Sequence, residues 1–154
     1  MGKVKASVVL PGFRASEAEV LWYDTSRWPT FVDGFAHIVS TEGDWPAASG
    51  VLVWQSTPAG RGRVIERVTE YEPRLGQTAQ VDDPKMTAIQ RVAFKPKDEG
   101  VELSLALDYT LKGGGPLRPF TDFLFIRRAI TDSLRRTVTR FARELRADAE
   151  LERA

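Results

Sequence analysis

Apolar and polar side chains largely alternate at the start of the chain. Val4, Ala6, Val8 and Leu10 share one face and Lys3, Lys5 and Ser7 the other, which predicts a half-buried strand. Ser16 ahead of Glu17 and Glu19 reads as an N-cap with acids in the first turn, so a helix is expected through Val20, Leu21, Trp22 and Tyr23 to about Ser26. Pro29 leaves room for only a short second helix, 29–32, before Gly34. The helical period then disappears. Strand-like segments follow at 35–42, 51–57, 61–72, 78–81, 87–95 and 101–111, separated by Pro46 and Gly50, Pro58 and Gly60, Pro73 and Gly76, Asp83-Pro84, and Lys97 to Gly100. Connections this short join hairpins into an antiparallel meander, and a parallel sheet has no crossover to use.

Gly113 to Pro116 closes the strand region and opens a long helix. Phe120, Phe123, Leu124, Ile130, Leu134, Val138, Phe141, Ala142 and Leu145 recur at spacings that gather them into one stripe. Arg127, Arg128, Arg135, Arg136, Arg143 and Arg146 fall mostly off that stripe. Residues 116–146 would span about 46 Å as a helix. The charged tail 147–154 is expected to fray. The elements predict an α+β fold: a first strand, two short helices, the meander and one long C-terminal helix.

Composition narrows the functions available. At 154 residues, 42% hydrophobic and 28% charged, the chain fits one globular domain spanning residues 1–154. A net charge of +1 argues against nucleic acid as partner, because phosphate binding needs a basic excess. Without cysteine there is no disulfide, thiol nucleophile or zinc–thiolate site, and His37 alone makes no histidine cluster. Gly60-Arg61-Gly62 is followed by no helix, so it is no phosphate loop. No cofactor, metal or nucleotide is therefore expected. The N-terminal apolar run ends at Pro11-Gly12, too short for a signal peptide, and no stretch approaches the roughly 20 apolar residues of a membrane span. A cytoplasmic protein without stable membrane insertion is expected, and a homodimer is left open. The nine arginines in residues 116–154 read as a solvated helix face.

The element order resembles the START-like (SRPBCC, helix-grip) superfamily, and several segments are similar to its polyketide cyclase/dehydrase branch. They are Asp24-Thr25-Ser26-Arg27-Trp28-Pro29-Thr30-Phe31, Gly62-Arg63-Val64-Ile65-Glu66-Arg67-Val68, Tyr71-Glu72-Pro73, Asp83-Pro84, and the Gly-Pro-Leu-Arg-Pro run before the long helix. The resemblance implies a curved antiparallel sheet of about seven strands wrapped around the C-terminal helix. It also implies an apolar small molecule held between them. It transfers no catalytic residue, because the superfamily hosts enzymes, carriers and receptors on one scaffold.

The candidate site rests on side chains that such a concave sheet would point inward. Val101, Leu103, Leu105, Leu107 and Tyr109 alternate with Glu102, Ser104, Ala106 and Asp108, and Gln90 is the polar member of the apolar face at 86–94. The strand at 63–71 has no clean face: Val64, Glu66, Val68 and Glu70 share one, Arg63, Ile65, Arg67, Thr69 and Tyr71 the other. Glu66 is the expected inward residue, flanked by two valines, and the preferred candidate catalytic group ahead of Gln90, Tyr109 and His37, a carboxyl whose proton affinity burial would raise. An inward Arg67 would instead hold an anion. Phe31, Trp54, Glu66, Gln90, Leu105, Leu107, Tyr109 and Phe123 are the expected ligand contacts. His37 reads as structural. Asp82 and Asp83 should face opposite ways on a strand, a poor metal or catalytic pair.

The function expected is binding of a hydrophobic, aromatic or polyketide-like small molecule in an internal cavity. A polyketide aromatase/cyclase working by acid/base catalysis in that cavity is the alternative. A lipid-handling or protein-interaction module is the third reading.

Overall fold

The alternating segments become β1 (Gly2–Pro11), β2 (Phe35–Glu42), β3 (Val51–Ser56), β4 (Arg63–Glu72), β5 (Gly76–Asp82), β6 (Met86–Lys97) and β7 (Gly100–Leu111). The helices are α1 (Ala15–Trp22), a 3-10 turn at Thr25–Arg27, α2 (Trp28–Phe31) and α3 (Phe120–Arg153). This computed structural model describes residues 2–113 and 120–154, with side chains after the gap from residue 121. The expected helix start at Pro116 and the side chain of Phe120 lie outside the described residues.

All seven strands form one antiparallel sheet in the order β1-β7-β6-β5-β4-β3-β2. The first strand pairs with the last, Gly2 opposite Tyr109 and Leu10 opposite Val101, so β1 and β2 are left as the two edges. Register shifts at Phe35/His37 and Ile38/Ser40 in β2 and at Val68/Glu70 in β4 mark bulges, which bend a sheet. The curved sheet grips α3, the helix-grip α+β architecture. Its concave face is apolar, with Leu52, Val64, Phe94 and Leu103 all fully buried.

Three local expectations are corrected. Ser16 is not the cap of α1: the helix begins at Ala15, with Arg14 as the cap residue. The Glu17 carboxylate accepts from the Arg14 backbone N–H at 3.1 Å, and that bond fixes the start earlier and leaves Ser16 inside the first turn. The helix stops at Trp22 rather than near Ser26, because Asp24 Oδ1 accepts from the Ser26 N–H at 3.1 Å and draws the chain into the 3-10 turn. The tail is helical to Arg153, since Arg27 donates to both Asp148 and Glu144 and ties that end down.

The stripe on α3 is only partly buried. Val138, Phe141, Ala142 and Leu145 lie in the core, and Ile130 and Leu134 pack against it half-buried. Phe123 and Leu124 are 37% and 52% exposed, so the stripe is not buried over the first turns of the helix. All six off-stripe arginines named above are exposed.

Candidate ligand-binding site

The floor of the site is built by three strands. On β4 Val64, Glu66 and Val68 are buried while Arg67 is exposed, so the carboxylate and not the guanidinium faces the concave side. On β3 the parallel set is Leu52, Trp54 and Ser56, with Leu52 opposite Glu66 and Trp54 opposite Val64. That diagonal lets Trp54 Nε1 donate to Glu66 Oε2 at 2.7 Å. From β6, Gln90 Nε2 donates to Glu66 Oε1 at 3.3 Å. Glu66 is only 2% exposed.

Burial pushes the Glu66 carboxyl above its ordinary value of 4.5, since a charge there loses its water. The Trp54 hydrogen bond, the positive charge of Arg61 and the Gln90 amide oppose that shift without cancelling it. The folded state therefore holds this proton more tightly than the unfolded chain does. Wild-type stability falls as pH rises from about 4.5 through the raised value, while a glutamine in its place does not titrate. Glu66→Gln can keep both bonds if the Gln90 amide flips. Its urea midpoint relative to wild type should accordingly improve as pH is raised from about 4 to 8. A gap constant across that range would mean that Glu66 titrates as it would in water.

Above this floor lie two hollows. A small inner chamber of about 70 Å³ is bounded by Trp22, Trp28, Trp54, Glu66, Leu105 and Thr137, among others. An open cleft of about 640 Å³ runs under the first turns of α3, between Phe125, Ile126, Ala129 and Ile130 on the helix and Met86, Gln90, Leu107 and Leu111 on the sheet. Asp33, Arg61, Gln90, Ser133 and Leu134 border both, so the chamber lies behind the cleft wall. The cleft is within the size range of small-molecule sites.

Arg61, in the β3–β4 turn, stands at the junction. Its Nε donates to Asp83 Oδ2 at 2.8 Å, and its guanidinium carbon lies 5.7 Å from the centre of the Trp54 ring. Asp83 is buried and also accepts from the backbone N–H groups of Lys85 and Met86. Asp82, half exposed, points away to Lys112.

Two ionic clusters seat α3 beside the site. Asp33 accepts from Ser133 Oγ, Arg136 and Arg140, and its own N–H donates to Thr137 Oγ1 at 3.0 Å. Burial alone would raise the Asp33 carboxyl, but the hydrogen bonds and charges of this cluster hold it below the usual carboxylate range. The second cluster is Arg27 with Glu144 and Asp148.

Of the expected contacts, Trp54, Glu66, Gln90 and Leu105 meet around the chamber, and Leu107 joins Gln90 on the cleft. Phe31 is fully buried in an aromatic cluster, its ring 5.2 Å from Phe141 and 5.6 Å from Trp22. Tyr109 lies buried against Gly2. Among the described residues, Phe31, Tyr109 and Phe123 line neither hollow. His37 is exposed on edge strand β2. Asp83, set aside above as half of a poor metal or catalytic pair, belongs to the site, and so do Arg61, Asp33 and Ser133, to which the sequence pattern assigned no role. The one signal for them was a basic residue between two glycines and an Asp-Pro turn. Among the described residues no three His, Asp or Glu side chains gather as metal ligands, and no helix is long and apolar enough to cross a membrane.

A curved sheet gripping one long helix, with a cleft between them, defines a helix-grip protein of the ligand-binding kind. The chain belongs to the family described as polyketide cyclase / dehydrase and lipid transport, whose model matches residues 1–146. Among solved structures it is similar to TTHA0849 from Thermus thermophilus, with a TM-score of 0.75 and 15% identity over 96% of this chain and 99% of that one. It is also similar to the di-domain ARO/CYC StfQ from the steffimycin biosynthetic pathway, with a TM-score of 0.72 and 16% identity over 96% of this chain and 51% of that one. Ara h 8.0201 matches with a TM-score of 0.64 and 10% identity, over 95% of this chain and 98% of that one. No curated protein matches the sequence.

Proposed function

We propose that the protein binds a hydrophobic, aromatic or polyketide-like small molecule in the cleft between the sheet and α3. The observation that carries this reading is an open, largely apolar hollow of about 640 Å³ with a buried, hydrogen-bonded carboxyl, Glu66, in the wall of the chamber behind it. The family description, polyketide cyclase / dehydrase and lipid transport, supports it. The neutral fluorophore N-phenyl-1-naphthylamine should bind saturably at one site per chain. Ile130→Glu, which sets a charge on the cleft wall, should weaken that binding at least tenfold. Absence of saturable binding by the wild type would overturn the reading.

A second reading is catalytic, and the raised proton affinity of Glu66 favours it, as does the likeness to an ARO/CYC protein. A carboxyl whose proton affinity is raised by burial can give a proton to a ketone oxygen, and its conjugate base can take one from the adjacent carbon. Glu66→Gln should then abolish turnover of a poly-β-ketone and leave its binding within a few-fold. Turnover undiminished in Glu66→Gln would remove Glu66 from the chemistry.

A further inference from the structure

The guanidinium of Arg61 is only partly used. Nε is bonded to Asp83 and one face lies near Trp54, but Nη2 is buried and finds no acceptor among the described residues. A cationic N–H shut away from water without a partner is rare in native structures and costly to the fold. The nearby carboxylates, Asp83 bonded to Nε and Glu66 within electrostatic reach, leave Nη2 without an acceptor among the described residues. The Asp83 oxygens already take three donors, from Arg61, Lys85 and Met86. Those of Glu66 take Trp54 and Gln90.

The charges around Arg61 point the same way. Arg61, Lys85, Lys112 and Arg136 border the cleft against only Asp33 and Asp83 among the described residues. Lys112 is paired with Asp82 and Arg136 with Asp33, which leaves Arg61 and Lys85 against Asp83 on a wall that is otherwise mostly apolar. A guanidinium anchored at Nε and bordering that hollow, its side chain 29% exposed, is set out to receive an oxygen anion.

We propose that Arg61 is an anion-holding residue and that the ligand of this cleft is a hydrophobic carboxylic acid, its apolar body under α3 and its carboxylate on the Arg61 guanidinium. Asp83 is the positioning residue, fixing the guanidinium through Nε. The inference rests on the reading that the cleft takes an apolar small molecule, and adds the head group that such a molecule carries.

The test compares two probes of nearly equal shape, 2-naphthoate and 2-naphthamide, by isothermal titration calorimetry at pH 8 and low salt. Wild type should bind the acid at least tenfold more tightly than the amide, about what one charged hydrogen bond contributes. In Arg61→Gln the two affinities should converge. Should that variant fail to fold, nitrogen-15 NMR of the wild-type arginine side chains decides. The Arg61 signal should then shift with naphthoate and stay in place with the amide.

Equal affinities in the wild type, or a preference undiminished in Arg61→Gln, would overturn the assignment. If neither naphthyl probe binds while N-phenyl-1-naphthylamine does, the cleft reading stands and the acid assignment falls. If none of the three binds, both fall.

Discussion

Phe141→Ala should destabilise the protein by about 3–5 kcal/mol, read as a lower urea midpoint with little change in slope. The ring is fully buried and makes edge contacts with Phe31 at 5.2 Å and Trp22 at 5.7 Å. Those neighbours are planar and held in turn: Trp28 Nε1 donates to the Trp22 carbonyl at 2.7 Å, and the Trp22 and Trp28 rings lie 6.2 Å apart. A vacancy among planar rings packed edge to face cannot collapse as one lined by flexible aliphatic chains can, so most of the cavity would persist. A loss under about 1 kcal/mol would mean that the second half of α3 is not seated on α1 and α2.

Gly76→Ala should be nearly as damaging, at about 3 kcal/mol or more. Gly76 opens β5 with φ +146°, a region that side chains rarely tolerate, and a Cβ there would lie 2.0 Å from the Val92 carbonyl oxygen. Strand pairing to Glu72 on one side and Ala93 on the other leaves the backbone no room to retreat. Gly12 is the matched control: its φ is +80°, yet nothing lies within 4 Å of a Cβ, so Gly12→Ala should cost only about 1 kcal/mol. Thermal melts of the two variants should separate by several degrees. Coincident melts would show that β5 can shift to relieve the contact.

The order of elements was legible because each carries its own period, two for the strands and near 3.6 for α3. What the local pattern could not carry were the bonds that close over long distances. Residues 147–154 read as a charged tail, and only the pairing of Arg27 with Asp148, 121 residues away, makes their helix part of the fold. The valines beside Glu66 placed its carboxyl on the concave side, while Tyr71 pulled toward the opposite face. Both signals were sound. The bulge between Val68 and Glu70 inserts a residue and reverses the alternation, so half-buried Tyr71 turns in to meet the Tyr23 ring at 5.6 Å, past an exposed Glu70. Arg61 was invisible for another reason. It sits in a turn, where sequence spacing says nothing about direction, and its partner Asp83 comes from a different hairpin.

The two ionic clusters and the buried rings hold only the latter part of α3, from about Ser133 onward. Phe125, Ile126, Ala129 and Ile130, which roof the cleft, take no part in them. Foldability and recognition thereby fall largely on different stretches of one helix, meeting at Ser133 and Arg136. Substitutions along the roof can redraw the shape and polarity of the cleft while leaving the structural anchors untouched, so specificity can diverge at small cost to stability. Such a scaffold can keep its architecture while its sequence drifts, in keeping with structural relatives only 10–16% identical to this chain.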